Sequence, residues 1–346
     1  MTLIAKKKIC EWNGKEIIEY TMKNKNGMEI AVLNYGCTIT KWTAKNRNNH
    51  YENIVLSFEN FEDYLEHSPY FGAIIGPVAG RIENASFNLA GSLYQLQKND
   101  GENNLHGGYS GFDKLVWEVS EGENQELIFQ IMISDGEGGF PGNREVQVSY
   151  RLEENDTLDI SYKGVTDEPT IINMTNHTYF NLSGNCKSNI LEHVLRIKAS
   201  YYLPLKENLI PIGKEMSVTG TAFDFRKEKK VRTGIDSFET QTLIAGNGYD
   251  HPFILDTNFD EEIVLIEPNS GRKLSIETDQ KVVVFYSGTQ LKENLPINGV
   301  YSQKYLGLCL ETQNYPNAIN EPSFPSIIIK QNENYIAKTR YKFTTI

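Results

Sequence analysis

Two side chains in this sequence could exchange protons with a ligand: the imidazole of His177 and the carboxylate of Glu311. His177 lies in residues 175–182, a run of polar and β-favouring residues with the sequence TNHTYFNL. Side chains alternate between the faces of a strand, so His177, Tyr179 and the other odd-numbered residues of the run are predicted to share one face. Burying an imidazole, a phenol and an amide together is costly without partners. This face is therefore predicted to be solvated or to form a binding site.

Glu311 ends a second alternating run, residues 306–311, with the sequence LGLCLE. The leucines are predicted to share one face of a strand, while Gly307, Cys309 and Glu311 share the other. The two small residues would leave space for a ligand beside the carboxylate. A carboxylate at the end of a strand can equally lie in water, and this run alone leaves both interpretations open.

Three further polar residues lie in loops rich in glycine or proline: Arg81, His106 and Asp250. Each has a structural explanation, namely a surface ion pair, a loop histidine and a turn-forming aspartate. Histidine with carboxylates suits general acid–base chemistry. These residue types also bind metals, but no HxH, HExxH or CxxC spacing is present, so a required metal is not predicted. The absence of GxSxG and P-loop motifs gives no support to serine hydrolase or nucleotide chemistry.

The composition is that of an ordinary soluble protein. A formal net charge of −11 over 346 residues argues against a nucleic-acid partner, because phosphate binding needs a basic face. The four cysteines form no close pair and are predicted to be free thiols of a reducing compartment. Neither a signal peptide nor an apolar stretch of membrane-spanning length is evident, so a cytoplasmic protein without a membrane partner is predicted.

Short alternating runs of β-favouring residues recur along the chain between Gly, Asn, Asp and Pro. They lie at residues 28–33, 54–58, 127–133, 146–152, 158–162, 194–197, 263–266, 273–278, 282–286, 306–310, 327–330 and 341–344. Helical patterns are scarce; residues 60–65 could form one short turn capped by Asn60. No repeat, βαβ rhythm or linker divides the chain. The prediction is one all-β domain over residues 1–346, an antiparallel sandwich or barrel-like sheet pair with few short helices.

Five segments between residues 80 and 316, taken together, resemble the aldose 1-epimerase family, the galactose mutarotases. Their order and spacing match the family over nearly the whole chain. They are Gly80-Arg81-Ile82; Asn104-Leu105-His106-Gly107-Gly108 with Gly111-Phe112 and Trp117; Thr175-Asn176-His177-Thr178-Tyr179-Phe180-Asn181-Leu182; Asp250-His251-Pro252; and Glu311-Thr312-Gln313 with Tyr315-Pro316.

The resemblance implies a β-supersandwich and an isomerase without cofactor or metal. It would interconvert the α- and β-anomers of a free aldohexose, galactose above all, and act as a monomer or homodimer. By position, Glu311 would be the general base and His177 the general acid. The residues that would contact the sugar are Arg81, His106 and Asp250, which would bind hydroxyls, and Tyr179, which would line the pocket.

The chemistry agrees with these residue types. Anomerisation removes a proton from the C1 hydroxyl and adds one to the ring oxygen. A carboxylate is ordinarily ionised at neutral pH, and histidine is near its own pKa. The apolar face of the sugar is expected to lie against Tyr179, Phe285 or Trp117.

Three positions depart from the family pattern: Gly80 where Asn is frequent, Pro77 where a second Arg is frequent, and Val284 where Gln is common. They affect the expected sugar more than the reaction. Alternative functions are a hexose-6-phosphate 1-epimerase, which would need a cationic phosphate clamp, and a non-catalytic sugar-binding module. A metal-dependent hydrolase is a more distant alternative.

Overall fold

Strands make up most of the regular structure, as the alternating sequence predicts. The computed structural model describes residues 3–67, 69–297 and 299–346. The α-helices in these ranges are short: Phe61–Glu66, Arg232–Ile235 and Thr240–Ile244. Single 3₁₀ turns occur at Glu83–Ala85, Gly108–Ser110, Phe112–Lys114, Glu123–Gln125, Glu137–Gly139 and Ala318–Asn320. The predicted all-β class is confirmed, and no helix within the described ranges is long and apolar enough to cross a membrane.

The largest sheet has nine strands. In spatial order they are Glu118–Glu121, Leu127–Ile133, Arg144–Leu152, Thr157–Thr166, Tyr335–Thr345, Arg272–Thr278, Ile263–Glu267, Val194–Ile197 and Lys229–Lys230. Their pairings are antiparallel. The strand Tyr335–Thr345 therefore lies inside the sheet, between strands that precede it by long stretches of chain.

Two further sheets complete the main framework. A five-stranded sheet contains Leu3–Trp12, Lys15–Lys23, Glu29–Leu33, Ile39–Lys45 and Tyr51–Asn53. A six-stranded sheet contains, in spatial order, Tyr179–Phe180, Leu308–Gln313, Val282–Tyr286, Asp250–Ile254, Tyr201–Tyr202 and Met216–Ser217. Two-stranded ribbons join Ile74–Ile75 to Thr175–Asn176, Arg81–Ile82 to Asn104–Leu105, Ser86–Leu89 to Ser92–Gln95, Thr170–Ile171 to Ile328–Ile329, and Pro296–Ile297 to Val300–Tyr301.

The sheets meet in a shared core around Trp42, a fully buried residue of the five-stranded sheet. Its ring lies edge-on to Phe180 of the six-stranded sheet at 5.8 Å between ring centroids. It also contacts Tyr341 and Phe343 of the nine-stranded sheet at 5.6 and 5.4 Å. Aromatic packing of this kind adds to the hydrophobic burial. We propose on this basis that residues 1–346 form one domain.

Several predicted element bounds are wrong. Residues 54–58 form no strand and contribute only an isolated bridge between Val55 and Phe180. The predicted helical turn is present as Phe61–Glu66, but Asn60 makes no side-chain capping hydrogen bond and donates to Asp63 instead. The run that contains Glu311 forms a strand only from Leu308 to Gln313, and Leu306 lies outside it in a different hydrophobic cluster from Leu308.

The run that contains His177 is not one continuous strand. Thr175–Asn176 pairs with Ile74–Ile75, whereas Tyr179–Phe180 pairs with the strand that carries Glu311. His177 lies between these two pairings, and its N–H donates to the carbonyl oxygen of Ala73. Each half of the run is therefore fixed by a different part of the chain.

Replacing Trp42 by alanine should destabilise the protein by about 3–5 kcal/mol, because a cavity would open where the three sheets meet. Chemical denaturation followed by circular dichroism measures this change in the free energy of unfolding. Tyr301→Ala is the control: Tyr301 is 69% exposed, and its loss should change stability by about 0.5 kcal/mol or less. Equal effects from the two substitutions would contradict the proposed role of Trp42.

Candidate active site

Three neighbouring strands of the six-stranded sheet form the floor of a pocket. Cross-strand pairing aligns Val284 with Pro252 on one side and with Glu311 on the other. Two residues along, Tyr286 pairs with Asp250. Because alternate side chains share a face, these five residues project into the same space, and all five line the pocket.

The residues between them project the opposite way. His251, Phe285 and Leu310 are aligned across the same three strands and are buried. Phe285 and Leu310 belong to the main core, and His251 contacts the side chain of Gln241. Phe285 was predicted to cover the sugar, and this is wrong because the sheet alternation turns its ring into the core. Trp117 is also wrong for this role, since it is buried against Phe112.

His177 and Glu311 face each other inside the pocket. The His177 Nε2 atom is 3.5 Å from Glu311 Oε1, and both side chains are almost fully buried. On the other side of the ring, Nδ1 is 3.5 Å from the sulfur of Cys309. The space that Gly307 was expected to leave for a ligand is instead filled by protein, because an added Cβ would lie 2.9 Å from Leu56 and 3.1 Å from Tyr179.

His106 is held by the backbone of the Arg81 segment. The Gly80 N–H donates to His106 Nδ1 at 3.2 Å, and the His106 N–H donates to the Gly80 carbonyl oxygen. His106 adopts a left-handed backbone conformation, with φ of 55°. Since Nδ1 accepts a hydrogen bond, the proton of the neutral ring is on Nε2. His106 thus offers the pocket a hydrogen-bond donor, and its ring stands perpendicular to that of His177 at 5.3 Å.

Arg81 lies between two carboxylates. Its Nε–H donates to Asp100 Oδ2 at 2.7 Å, and its Nη1 is 3.5 Å from Asp250 Oδ2. Arg81 is on the short strand paired with Asn104–Leu105, so the same ribbon positions both Arg81 and the segment leading to His106. The Arg81 side chain is 12% exposed, and Arg81 lines the pocket.

Aromatic side chains enclose the two histidines. The Tyr179 ring lies 5.1 Å from that of His177, and the Tyr70 ring lies 4.7 Å from His106 and 5.6 Å from His177. The sequence analysis did not identify Tyr70, which reaches this position through a left-handed φ of 64° after Pro69. Tyr286 could have been predicted to face the same side as Val284, because the two residues are two positions apart in one strand. The result is an apolar wall beside polar groups, which is typical of small-molecule sites.

The structure brings all six predicted site residues into one pocket with an empty volume of about 860 Å³, its open mouth included. They are Arg81, His106, His177, Tyr179, Asp250 and Glu311. Of the three positions that depart from the family pattern, Gly80 and Val284 line this pocket, whereas Pro77 is not among its lining residues. Gly80 has a φ of 78°, a conformation that favours glycine over the expected asparagine.

Burial changes the acidity of these groups. It raises the pKa of Glu311 well above its ordinary value, and the Asp250 carboxylate adds to this effect while Arg81 opposes it. Burial lowers the pKa of His177 to about 4. Burial also raises the pKa of Asp250 to about 6 against the opposing charge of Arg81. The pocket therefore favours the uncharged forms of His177 and Glu311, whereas a carboxylate in solution is ordinarily ionised at neutral pH.

Three of these side chains could in principle bind a metal ion, since ligand atoms of His106, His177 and Glu311 lie within 4.8 Å of one another. The donor set fits poorly. His106 Nδ1 already accepts the Gly80 N–H, so Nε2 must carry a proton and has no free electron pair for a metal. A metal could bind His106 only by breaking that hydrogen bond.

An imidazole and a carboxyl group, side by side in a partly apolar pocket on an antiparallel sheet, are the groups that general acid–base chemistry on a small molecule requires. Comparison with known proteins agrees and is more specific. The sequence model described as Aldose 1-epimerase matches residues 19–342. The chain belongs to the aldose 1-epimerase family and is an isomerase of the epimerase type.

Similar proteins cover nearly the whole chain. Galactose mutarotase from Sus scrofa is 37% identical over 335 residues, which are 96% of each chain. Aldose 1-epimerase from Haemophilus influenzae is 36% identical over 328 residues, 93% of this chain and 94% of that one. The crystal structure of galactose 1-epimerase from Lactobacillus acidophilus superposes with a TM-score of 0.88 at 30% identity, covering 100% of this chain and 99% of that chain.

Removing metal ions should leave the epimerase activity of this protein unchanged, because the tautomer of His106 is incompatible with a ligand role. The measurement is the rate of sugar mutarotation before and after exhaustive dialysis against a chelator. A matched sample dialysed without chelator controls for loss of protein. A loss of activity that returns on adding Zn²⁺ or Mn²⁺ would contradict this assignment.

Proposed function

We propose that this protein interconverts the α- and β-anomers of a free aldohexose, galactose first among them, by general acid–base opening and closing of the ring. The observation that carries the proposal is the 3.5 Å separation of His177 Nε2 and Glu311 Oε1. The two oxygens that exchange protons in anomerisation are both bonded to C1. An acid and a base must therefore lie side by side, as these two atoms do.

Glu311 acts as the base and His177 as the acid. The Glu311 carboxylate takes the proton of the C1 hydroxyl, the C1–O1 bond becomes a carbonyl, and the C1–O5 bond breaks. O5 takes the proton of His177 Nε2. The aldehyde then rotates about C1–C2, and closure on the other face returns both protons. No net proton is consumed, so the pair is ready for the next sugar.

The pocket favours the protonation state that ring opening creates. Before opening, Glu311 is negative and His177 positive; after it, both are neutral. The directions of their pKa shifts show that burial stabilises the neutral pair. The closed sugar must compensate by donating hydroxyl hydrogen bonds to the carboxylate. A pocket more favourable to the products of a proton transfer than to its reactants assists that transfer.

The remaining polar groups hold the sugar. His106 Nε2–H and the guanidinium of Arg81 can donate to hydroxyl oxygens, and Asp250 can accept from a hydroxyl. Tyr179 supports the His177 ring and lines the pocket. Opposed donors and acceptors of this kind fix the orientation of a polyhydroxylated ring.

The geometry supports a neutral sugar better than a phosphorylated one. Arg81 is the one arginine or lysine among the described pocket-lining residues, and it already contacts two carboxylates. A phosphate clamp needs cations with free donors. A non-catalytic binding module would not need the adjacent acid and base. We further propose that the protein acts in the cytoplasm without a cofactor or nucleic-acid partner, as a monomer or homodimer.

His177→Asn and Glu311→Gln should each lower kcat for galactose mutarotation by about 10²- to 10⁴-fold, because each removes one of the two proton carriers. The assay couples freshly dissolved α-D-galactose to a dehydrogenase specific for the β-anomer and subtracts the spontaneous rate. Unaltered acceleration by either variant would refute the assigned roles.

Matched control variants are available outside the pocket. His50→Asn and Glu118→Gln make the same chemical changes at exposed positions. They should keep wild-type kcat and KM, which separates loss of chemistry from a general effect of substitution. Circular dichroism of all four variants tests whether each remains folded.

The pH dependence should show two acid limbs. As the pH falls through about 6, Asp250 gains a proton and becomes a weaker acceptor for a sugar hydroxyl, so kcat/KM should decline. Near pH 4, His177 becomes charged while Glu311 is protonated, so no base remains and activity should be lost. Polarimetry across this range measures both limbs. Asp250→Asn should abolish the decline of kcat/KM near pH 6 and keep the loss of activity near pH 4. A decline near pH 6 that remains in this variant would contradict the assignment to Asp250.

A further inference from the structure

The ion pair between Arg81 and Asp100 has no part in the proton transfers. Asp100 is 37% exposed and is not among the pocket-lining residues, yet it takes the Arg81 Nε–H at 2.7 Å. Asp250, which lies on the six-stranded sheet, contacts a different nitrogen of the guanidinium, Nη1. Arg81 thus has a carboxylate from the sheet and another from a loop.

The position of Asp100 is fixed by its loop. The Asn103 N–H donates to the Asp100 carbonyl oxygen at 3.0 Å, and Gly101 between them has a φ of 58°. Next to Asp100, the Asn99 side chain forms two hydrogen bonds with the backbone of Leu105, at 2.8 and 2.9 Å. Leu105 is the cross-strand partner of Arg81. The loop is therefore anchored to the same ribbon whose arginine it neutralises.

The charges around the pocket favour one class of ligand. The described lining residues include one permanent cation, Arg81, and two acids, Asp250 and Glu311. Burial lowers the pKa of both His106 and His177 and so disfavours positive charge on either ring, and a positive His177 is balanced by a negative Glu311. With Asp100 behind Arg81, a negatively charged substituent on the sugar would find no uncompensated cation. Like charges in a pocket of this kind oppose binding.

We propose that Asp100 is a specificity-determining residue: by neutralising Arg81 from outside the pocket, it makes the site select uncharged aldoses over anionic ones such as uronates and sugar phosphates. This inference rests on the proposed function and adds to it that the preferred substrate is an uncharged sugar. Asp100 acts through Arg81 and touches no reacting atom.

The test compares wild-type protein with Asp100→Asn on D-galactose, D-galacturonate and D-galactose 6-phosphate. Polarimetry follows all three, because each mutarotates, and the spontaneous rate is subtracted. The expected result is a rise of about 3- to 10-fold in the ratio of kcat/KM for each anionic sugar to kcat/KM for galactose, since one negative charge near the site is removed. Raising the ionic strength from about 0.01 to 0.5 M should shrink this rise, because salt screens exposed charges.

A matched control lies two residues away. Glu102 is in the same loop and is paired with Lys98, and within the described residues no ion pair joins it to Arg81. Glu102→Gln makes the same change of charge and should leave the ratio at the wild-type value. An equal rise in this variant would overturn the proposal, because the effect would then belong to the general charge of the loop.

Other outcomes are also decisive. Intact galactose turnover by Asp100→Asn with an unchanged ratio, or a rise that salt does not alter, overturns the role of Asp100 and leaves the proposed function standing. Absence of any galactose acceleration by wild-type protein counts against the proposed function instead. If Asp100→Asn loses turnover while wild-type protein keeps it, calorimetry can measure the dissociation constants of galactose and galacturonate for both proteins. Tighter binding of galacturonate relative to galactose in the variant supports the proposal, and an unchanged ratio of the two constants overturns it.

Discussion

The register of three strands is the constraint on which the site depends. In this register Val284 and Tyr286 face the pocket while Phe285 faces the core. Because side chains alternate, a slip of one residue would exchange the two sets. It would bury Glu311 in the core and place Leu310 in the pocket. The hydrophobic core and the chemistry are thus specified together, since the large apolar residues on one face hold the polar residues on the other.

Burial opposes charge throughout this pocket, and the chemistry uses that opposition. An isolated buried carboxylate or imidazolium is expensive, so Glu311 and His177 are pushed toward neutral forms. The pair reaches those forms when Glu311 takes one proton from the sugar and His177 gives one to it, or when His177 passes its proton to Glu311. Arg81 and Asp250 show the other solution, in which opposite charges remain in contact. The site therefore contains two kinds of pair. His177 and Glu311 lose their charges during the reaction, whereas Arg81 and Asp250 keep theirs.

The sequence predicted best those strands that form local, uninterrupted apolar runs. Residues 194–197 and 282–286 have their predicted bounds, and apolar residues predominate in both, with three consecutive valines in the second. The errors have another cause. Thr175–Asn176 and Tyr179–Phe180 belong to different ladders, and only distant partners determine where one ends. Tyr70 reaches the site through a left-handed backbone conformation, and the periodicity of hydrophobic residues does not predict such a conformation. The candidate site residues were found because the family pattern names them individually, whereas their protonation depends on burial that one sequence does not display.

The strand Tyr335–Thr345 has a consequence for how the molecule is made. It is synthesised after every neighbour in its sheet, yet it lies between Thr157–Thr166 and Arg272–Thr278. Until it leaves the ribosome, those two strands expose open edges to each other and to other chains. The nine-stranded sheet can therefore become continuous only in the last part of synthesis, when residues 335–345 fill the gap between these two strands.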